Sequence, residues 1–564
     1  MGDVLEFLVD GTSGLAPGGV EGSAMIAGVC STGEVGKGYL LGKDSDLGSL
    51  LGVGPLVDRL KDIFGTGGQS PVVIAVPVAG LSGGYISPVK QTGTGPDATA
   101  SGIPAGNADV VVEITTGGQL GTCQAQVSED GGATFGSAAV VPVNGQIAVG
   151  TTGATMTLAA GTHILNDTYE FAVRKAIGPV KKTGTGPDIS IAGTVKAAAQ
   201  IVLGVVTGGG RNDATYQLSM DGGDSFGPVR TVPVDGVVIA GTTGVTITVP
   251  DSPDLVAGDM YECELMPPVP SITAVMSALE QPLSLYDIEF VHVVGPSDPV
   301  DWAAMGAKAN ELWNAHRPTY FRAETRLPYD NEDLNDWVAA MVQDRQSYSH
   351  RFVVGCCAFG EVSDSTGKRV SRNWAGLQSG RVLSVPVQRA TGRVLDGGIS
   401  QGSLPSDYTE AMQKILESEG YATAKHYAGL NSAYWGDART MAEDTSDFRY
   451  EEVLRVVFKA VRKARIAALK SMYDEAGDLA LEGNATGITY LKANIENALN
   501  TMVAAVPREL AGFVVEIPES QDVVNNGVAV LIKLVGIPII REIKLFASYS
   551  YAGSAFDPRL KSVA

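Results

Sequence analysis

Side chains that could do chemistry are sparse and scattered along this sequence. The five histidines are His163, His292, His316, His350 and His426. None has another His or a Cys at the spacing of a metal-ligand pair. Cys30, Cys123, Cys263, Cys356 and Cys357 contain no C-x-x-C, and the adjacent pair 356–357 cannot easily bridge itself. This usage points to a reducing compartment at synthesis. Gly33, Gly36 and Gly38 around Lys37 invite a phosphate-loop reading, but the G-x-x-x-x-G-K-[ST] spacing is absent. There is no G-x-S-x-G, no H-E-x-x-H and no kinase set. The expectation is therefore no enzyme, no cofactor and no metal, with structural roles for the histidines.

What remains is charge. From His426 a Gly/Asn/aromatic loop leads into a long helix, with Ser446 or Asp447 as N-cap candidates and Glu451 and Glu452 in the first turn. On a helical wheel Leu454, Val457, Phe458, Val461, Ala464 and Ala468 share one side. Arg455, Lys459, Arg462, Lys463 and Lys470 fall on the other. The chain carries a net charge of −21 and a pI near 4.7, so a basic strip is not needed for solubility. It reads either as a solvated helix face or as a docking strip for an acidic partner. The same acidity argues against nucleic-acid binding. The N-terminus MGDVLEFLVDG lacks the apolar core of a secretory leader, and no apolar run reaches membrane-spanning length.

At 564 residues, with 70 Gly and 28 Pro, the chain is expected to fold as several turn-rich domains. Residues 1–22 read as an arm, with Val4, Phe7 and Val9 able to form a short strand. From 23 to 80 the pattern is strand, loop, helix, strand. It resumes after 270: a helix over 271–281, a strand over 288–294, a helix from Asp298 to about Asn314, a strand over 318–325, a helix over 330–346 and a buried strand over 351–360. Alternating strands and helices predict a doubly wound α/β core made of 23–86 and 271–400. A helix over 405–420, the basic helix, and one over 488–504 follow. Residues 512–551 then read as a β-hairpin, turning at Asn525-Asn526-Gly527, plus a third strand. Together 401–545 make an α+β C-terminal domain, and 546–564 a second arm containing Phe546 and Phe556, with Leu545 at its root.

The segment between the core halves is duplicated. PVKQTGTGPD at 88–97 recurs as PVKKTGTGPD at 179–188, SEDGGATFG at 128–136 as SMDGGDSFG at 219–227, and GTTGATMTL at 150–158 as GTTGVTITV at 241–249. A constant offset means that one unit has been copied in register. Short alternating runs between Gly/Asp turns predict a tandem pair of all-β, immunoglobulin-like sandwiches, 88–178 and 179–270. The Ser-x-Asp-Gly-Gly-x-Thr/Ser-Phe turns resemble the Asp-box hairpin of sialidases. There Asp130 and Asp221 would accept backbone N–H bonds while the glycines take positive φ.

The order loop, Tyr434-Trp435, Arg439-Thr440, Ser446-Asp447, then a helix with Arg455 and Arg462, resembles the C-terminal part of contractile phage tail sheath proteins. The 23–80 segment and the Gly-rich run with Asn373, Gly376, Gly380, Pro386 and Gly392 resemble other parts of that family; residues 88–270 have no counterpart in its minimal core. The resemblance implies a virion-tail protein assembled in the bacterial cytoplasm as stacked six-subunit rings. Its partners would be a tail tube, baseplate and terminator proteins. It implies arms that add strands to neighbouring subunits, with Val4, Phe7, Val9, Leu545, Phe546 and Phe556 as candidates. On that footing the basic strip of Arg455, Lys459, Arg462, Lys463 and Lys470 is expected to face the tube. Residues 88–270, with net charge −9, would decorate the outside. An alternative is a carbohydrate- or cell-binding adhesin working through the tandem β units; a glycoside-processing enzyme would rest on the Asp-box-like turns alone.

Overall fold

The computed structural model describes residues 20–68, 71–330, 332–363, 369–477, 486–518 and 521–552. Val4, Phe7, Val9 and Phe556 lie outside the described residues. The core is a mixed sheet. β1 (Ser23–Gly28) lies between β2 (Val72–Pro77) and β3 (Phe290–Pro296), followed outward by β4 (Tyr320–Glu324) and β5 (Val353–Cys356). These five run parallel, and Tyr39–Leu41 adds an antiparallel edge to β2. Ala24 stands opposite both Val73 and Phe290 in the register. The strand order 2-1-3-4-5 is that of a doubly wound sheet. All five residues of β4 are buried, as a strand covered by helices on both faces requires.

The helices are α1 (Pro55–Thr66), α2 (Ile272–Leu285), α3 (Pro299–Asn314), α4 (Leu334–Gln346) and α5 (Ala375–Ser384). α3 starts where expected, because Asp298 and Asp301 form a reciprocal capping box. α1 and α5 pack tightly together. A Cβ added at Gly380 would lie 2.0 Å from Thr66 Oγ1, so only glycine fits there.

Two expected elements differ. The 351–360 strand breaks after Cys356, because Cys357 donates its N–H to the Ala422 carbonyl. The chain then turns into Phe359–Ser363, which pairs antiparallel with Arg369–Asn373. The helix expected over 405–420 spans only Glu410–Ser418, started by the Thr409 side chain accepting from the Met412 N–H.

Between β2 and α2 the chain leaves through Gly80–Leu81 and returns through Val269–Pro270, and these segments pair as a two-stranded ribbon. Beyond it stand two β modules. In each, a five-residue hairpin strand (Gln124–Ser128 or Thr215–Ser219) pairs with a nine-residue strand (Ala108–Thr116 or Ala199–Thr207). That strand pairs in turn with Thr168–Lys175 or Met260–Leu265. A second three-stranded sheet completes each module, and each has its own apolar core.

C-terminal to the core, α6 (Glu451–Leu469) packs on α7 (Thr486–Val503) through Val456, Ala460 and Ala464 against Ile495, Leu499 and Met502. β6 (Gly512–Glu516) and β7 (Leu531–Val535) form an antiparallel pair. Asn525-Asn526-Gly527 does not make a tight hairpin turn. Asp522 caps a single helical turn, Val523–Asn526, which ends at Gly527 with φ +70°. The expected third strand is not formed: residues 536–550 are in no strand. The segment instead follows Arg541 to the carboxylates of Asp437 and Glu452.

Candidate interaction surfaces

α6 begins four residues later than Ser446 would place it. Its N-cap is Tyr450, with no side-chain cap bond. Thr440 N–H donates to the Arg449 carbonyl and Thr440 Oγ1 to the Phe448 carbonyl, which holds 440–450 as a folded loop. Glu451 and Glu452 do fall in the first turn.

The five basic residues do not form one exposed strip. Arg455 is 2% exposed and its guanidinium is paired with Glu289, at the amino end of β3. Glu451 is paired with Arg322 and also accepts from Tyr320 Oη at 2.9 Å. Arg462 is 7% exposed and donates to the Ile288 and Pro318 carbonyls, with Glu21 at 3.7 Å. Burial lowers its pKa, although Asp287, Glu21 and Glu289 oppose that. Lys459 bonds Glu509 at 2.7 Å. Lys463 is half-buried, and Lys470 is exposed one residue past the helix. The reason is packing on both sides: α7 takes one flank of α6, and the amino ends of the sheet strands take another. The arginines spaced seven apart turn inward onto the Glu289 carboxylate and the Ile288 and Pro318 carbonyls at the strand ends.

At the other end of the sheet a second buried network was missed by the sequence reading. Arg59 makes a two-pronged pair with Glu324, at 2.6 and 2.8 Å. His292 Nε2 lies 3.0 Å from the same carboxylate, and Ser379 Oγ lies 3.1 Å from His292 Nδ1. Burial alone would raise the Glu324 pKa; Arg59 and His292 outweigh it and hold the carboxylate at about 2. Burial lowers the His292 pKa despite Glu324. The Ser379–His292–Glu324 chain has the residue types of a hydrolase triad. Yet Ser379 and His292 are fully enclosed, so the hydroxyl has no path to a substrate. The signal in the sequence was Arg322 and Glu324 inside the otherwise apolar strand YFRAE.

A cleft of about 470 Å³ opens at the carboxyl ends of β3 and β4, where doubly wound sheets take ligands. Pro55, Tyr85, Met266, Gly295, Arg326 and Tyr329 line it. Its guanidinium groups are already engaged: Arg59 by Glu324, Arg326 by Glu332, Arg372 by Asp62. Among the described residues, each arginine on this wall has a carboxylate partner. Among the described residues no group of His, Cys, Asp and Glu could hold a metal ion, and no helix is long and apolar enough to cross a membrane.

The Asp-box-like turns are closed on themselves. Asp130 accepts from Ser128 Oγ at 2.6 Å and from the Thr134 N–H and hydroxyl at 2.8 and 2.5 Å. These bonds lower its pKa to about 2. Asp221 repeats the pattern with Ser219 and Ser225. Gly131, Gly132, Gly222 and Gly223 all have positive φ.

The surface left open is the end of the described chain. Along 537–551 Ile540, Ile543, Leu545, Phe546, Tyr549 and Tyr551 are all exposed, Leu545 at 90% and Phe546 at 93%. The β6–β7 pair nearby shows Val514, Leu531 and Val535 to solvent. An extended apolar segment without a partner strand and a two-stranded sheet with open edges are the ingredients of strand addition between chains.

Comparison with known proteins gives the following. A 108-residue stretch is 31% identical to the "Putative tail sheath protein" of Haemophilus phage HP1 (strain HP1c1); it covers 18% of this chain and 29% of that protein. The chain thus matches less than a third of the length of that curated relative. A sheath tail protein from Desulfitobacterium hafniense aligns over 95% of this chain and 100% of its own, at 11% identity and a TM-score of 0.41. The helical sheath of the anti-feeding prophage in its contracted state aligns over 52% of this chain and 79% of its own, at 19% identity and a TM-score of 0.37. The family model for the DUF2586 N-terminal domain matches residues 1–439, and that for the DUF2586 C-terminal domain matches 447–554. With both domains present in order along nearly its whole length, the chain belongs to the DUF2586 family.

Proposed function

We propose that this protein is a structural subunit of a contractile tail sheath, which polymerises around an inner tube and contracts to drive the tube through a cell envelope. The observation that carries the reading is the apolar segment 537–551, exposed and in no strand beside the open-edged β6–β7 pair. A monomer has no use for such a segment, and a polymer joined by strand addition does. The stretch of identity to the phage protein supports the same class.

In this reading the partners are further copies of the chain, in six-subunit rings, with a tail tube, a baseplate and a terminator. Lys463 and Lys470 are the tube-facing candidates that remain on the surface. Leu545 and Phe546 belong to the arm that meets a neighbour. The paired β modules, immunoglobulin-like in layout, stand away from the tube as decorations, and the protein sits in a virion tail.

Negative-stain electron microscopy of the full chain tests this, alongside a chain truncated after Gly536. Striated hollow tubes from the full chain and single particles from the truncated one are expected. Equal behaviour of the two would overturn strand addition through this segment. Glycan binding by the full chain without any polymer would favour the adhesin alternative.

A further inference from the structure

The exposed C-terminal segment touches the rest of the molecule through one built contact. Arg541 donates from Nε to Asp437 Oδ2 at 2.6 Å and from Nη2 to Glu452. Its guanidinium also stacks on Tyr450, 3.5 Å from the ring centroid. The three partners come from two elements. Asp437 and Tyr450 bracket the folded loop before α6, and Glu452 is in the first turn of α6. Among the described residues, no other side chain of 536–552 is hydrogen-bonded to the body; Lys544 only approaches Glu542 of its own segment. On either side of Arg541 the neighbours Ile540 and Ile543 are exposed.

We infer that Asp437, Tyr450 and Glu452 form a guanidinium clamp that pins the C-terminal segment at Arg541 and presents residues beyond it for pairing with a second copy of this chain. Two carboxylates on one planar cation, with an aromatic ring across its face, fix both position and orientation. A segment anchored at one residue leaves the body at a fixed point and starts its pairing in a fixed register. The pairing part of this inference rests on the sheath reading; the clamp itself does not.

The clamp is also tunable. Glu452 is surrounded by Asp437 and Arg541, and Asp437 in turn faces Arg439 and Glu417, the latter paired with Lys425 at 2.8 Å. Burial, and then Asp437, raise the Glu452 pKa to about 7, with Arg541 opposing them. Above that value the clamp carries both negative charges and holds Arg541; below it one charge is lost and the grip weakens.

Trypsin reads the clamp directly in the full-length, unassembled chain. It cleaves after Arg541 and after Lys544, and Lys544, exposed three residues on, is the internal control. A clamped guanidinium cannot enter the protease pocket. The ratio of cleavage after 541 to cleavage after 544 is expected to rise about tenfold in Asp437→Asn/Glu452→Gln, as loss of charge-assisted bonds would give. In the wild type it is expected to rise as pH falls from 8 to 6, which needs no variant to fold. Equal ratios in both proteins and at both pH values would overturn the clamp. Electron microscopy of the double variant then tests its role. Absent or irregular polymers are expected, and tubes of wild-type regularity would overturn the register function. If the wild type itself forms no polymer while the ratio still shifts, the sheath reading falls and the clamp stands.

Discussion

The guanidinium of Arg455 points into the protein and closes on the carboxylate of Glu289, joining the first turns of α6 to the amino end of β3. The side chain that the helical wheel assigned to a solvent-facing strip is thus a rivet between two parts of the fold. Glu289 also accepts the Gly22 N–H at 2.7 Å, so the same carboxylate fixes the chain as it enters β1.

Breaking this pair from one side should be severe. Glu289→Gln leaves a buried cation against a neutral amide and is expected to remove about 3–5 kcal/mol of stability. Because both partners are buried, added salt should rescue little of it. Chemical denaturation at low and high ionic strength measures both the size and the salt response.

Half-buried Lys463 and exposed Lys470 should behave in the opposite way. Lys463→Ala and Lys470→Ala together are expected to change stability by no more than about 0.5 kcal/mol, as is usual for surface sites. If the helix end meets a tube, they should weaken co-assembly with a tube protein at low salt, and less so as salt rises and screens the attraction they supply. Unchanged co-sedimentation at every ionic strength would leave these two lysines as a solvated face.

Acid should act through Glu324. Its folded pKa, about 2, lies below the ordinary carboxylate value near 4.5. The stabilisation is therefore complete above about pH 4.5 and is lost as pH falls from there towards 2. By linkage its size is on the order of 3 kcal/mol. Glu452 has the reverse sign: raised to about 7, it makes stability fall as pH rises from about 4.5 to 7. Melting temperatures across pH 2–8 should show a shallower acid limb in Glu324→Gln and a flatter neutral limb in Glu452→Gln.

The β modules should be removable. A chain in which residues 82–268 are replaced by a short turn is expected to keep the core's cooperative unfolding, because Leu81 and Val269 are already neighbours across the ribbon. Loss of the cooperative transition would mean that the modules brace the core, for instance through Tyr85 and Tyr329, whose tilted rings have centroids 4.4 Å apart.

The alternation of strands and helices was legible because parallel strands buried on both faces, such as SAMIAG and VVIAVP, are short apolar runs that need no partner to be recognised. The duplication was legible because Asp-Gly-Gly turns fix backbone conformation locally. Arg455 and Arg462 were misread for a physical reason. A wheel counts apolar residues on one side, whereas α6 is enclosed by α7 and by strand ends whose carbonyls and carboxylates attract guanidinium groups. The Arg59–Glu324–His292 network was not legible as a network, because Arg59 lies 265 positions from Glu324 and the three meet only in the folded sheet; the charge in YFRAE was its one trace. The third strand was anticipated from the apolar run after 536, but that segment leaves the open edges of the β6–β7 pair unpaired and is held instead through Arg541.

The ribbon of Gly80–Leu81 and Val269–Pro270 also bears on how the chain finds its fold. β1 must pair with β3, more than 260 positions away, and contacts so remote make for slow searches. Each β module has its own core and pairs only within a short span, so both can form before the sheet does. Once they have formed, the ribbon brings the two halves of the core together. The parallel pairing of β1 with β3 then closes a loop that runs through the ribbon and is far shorter than their separation in sequence.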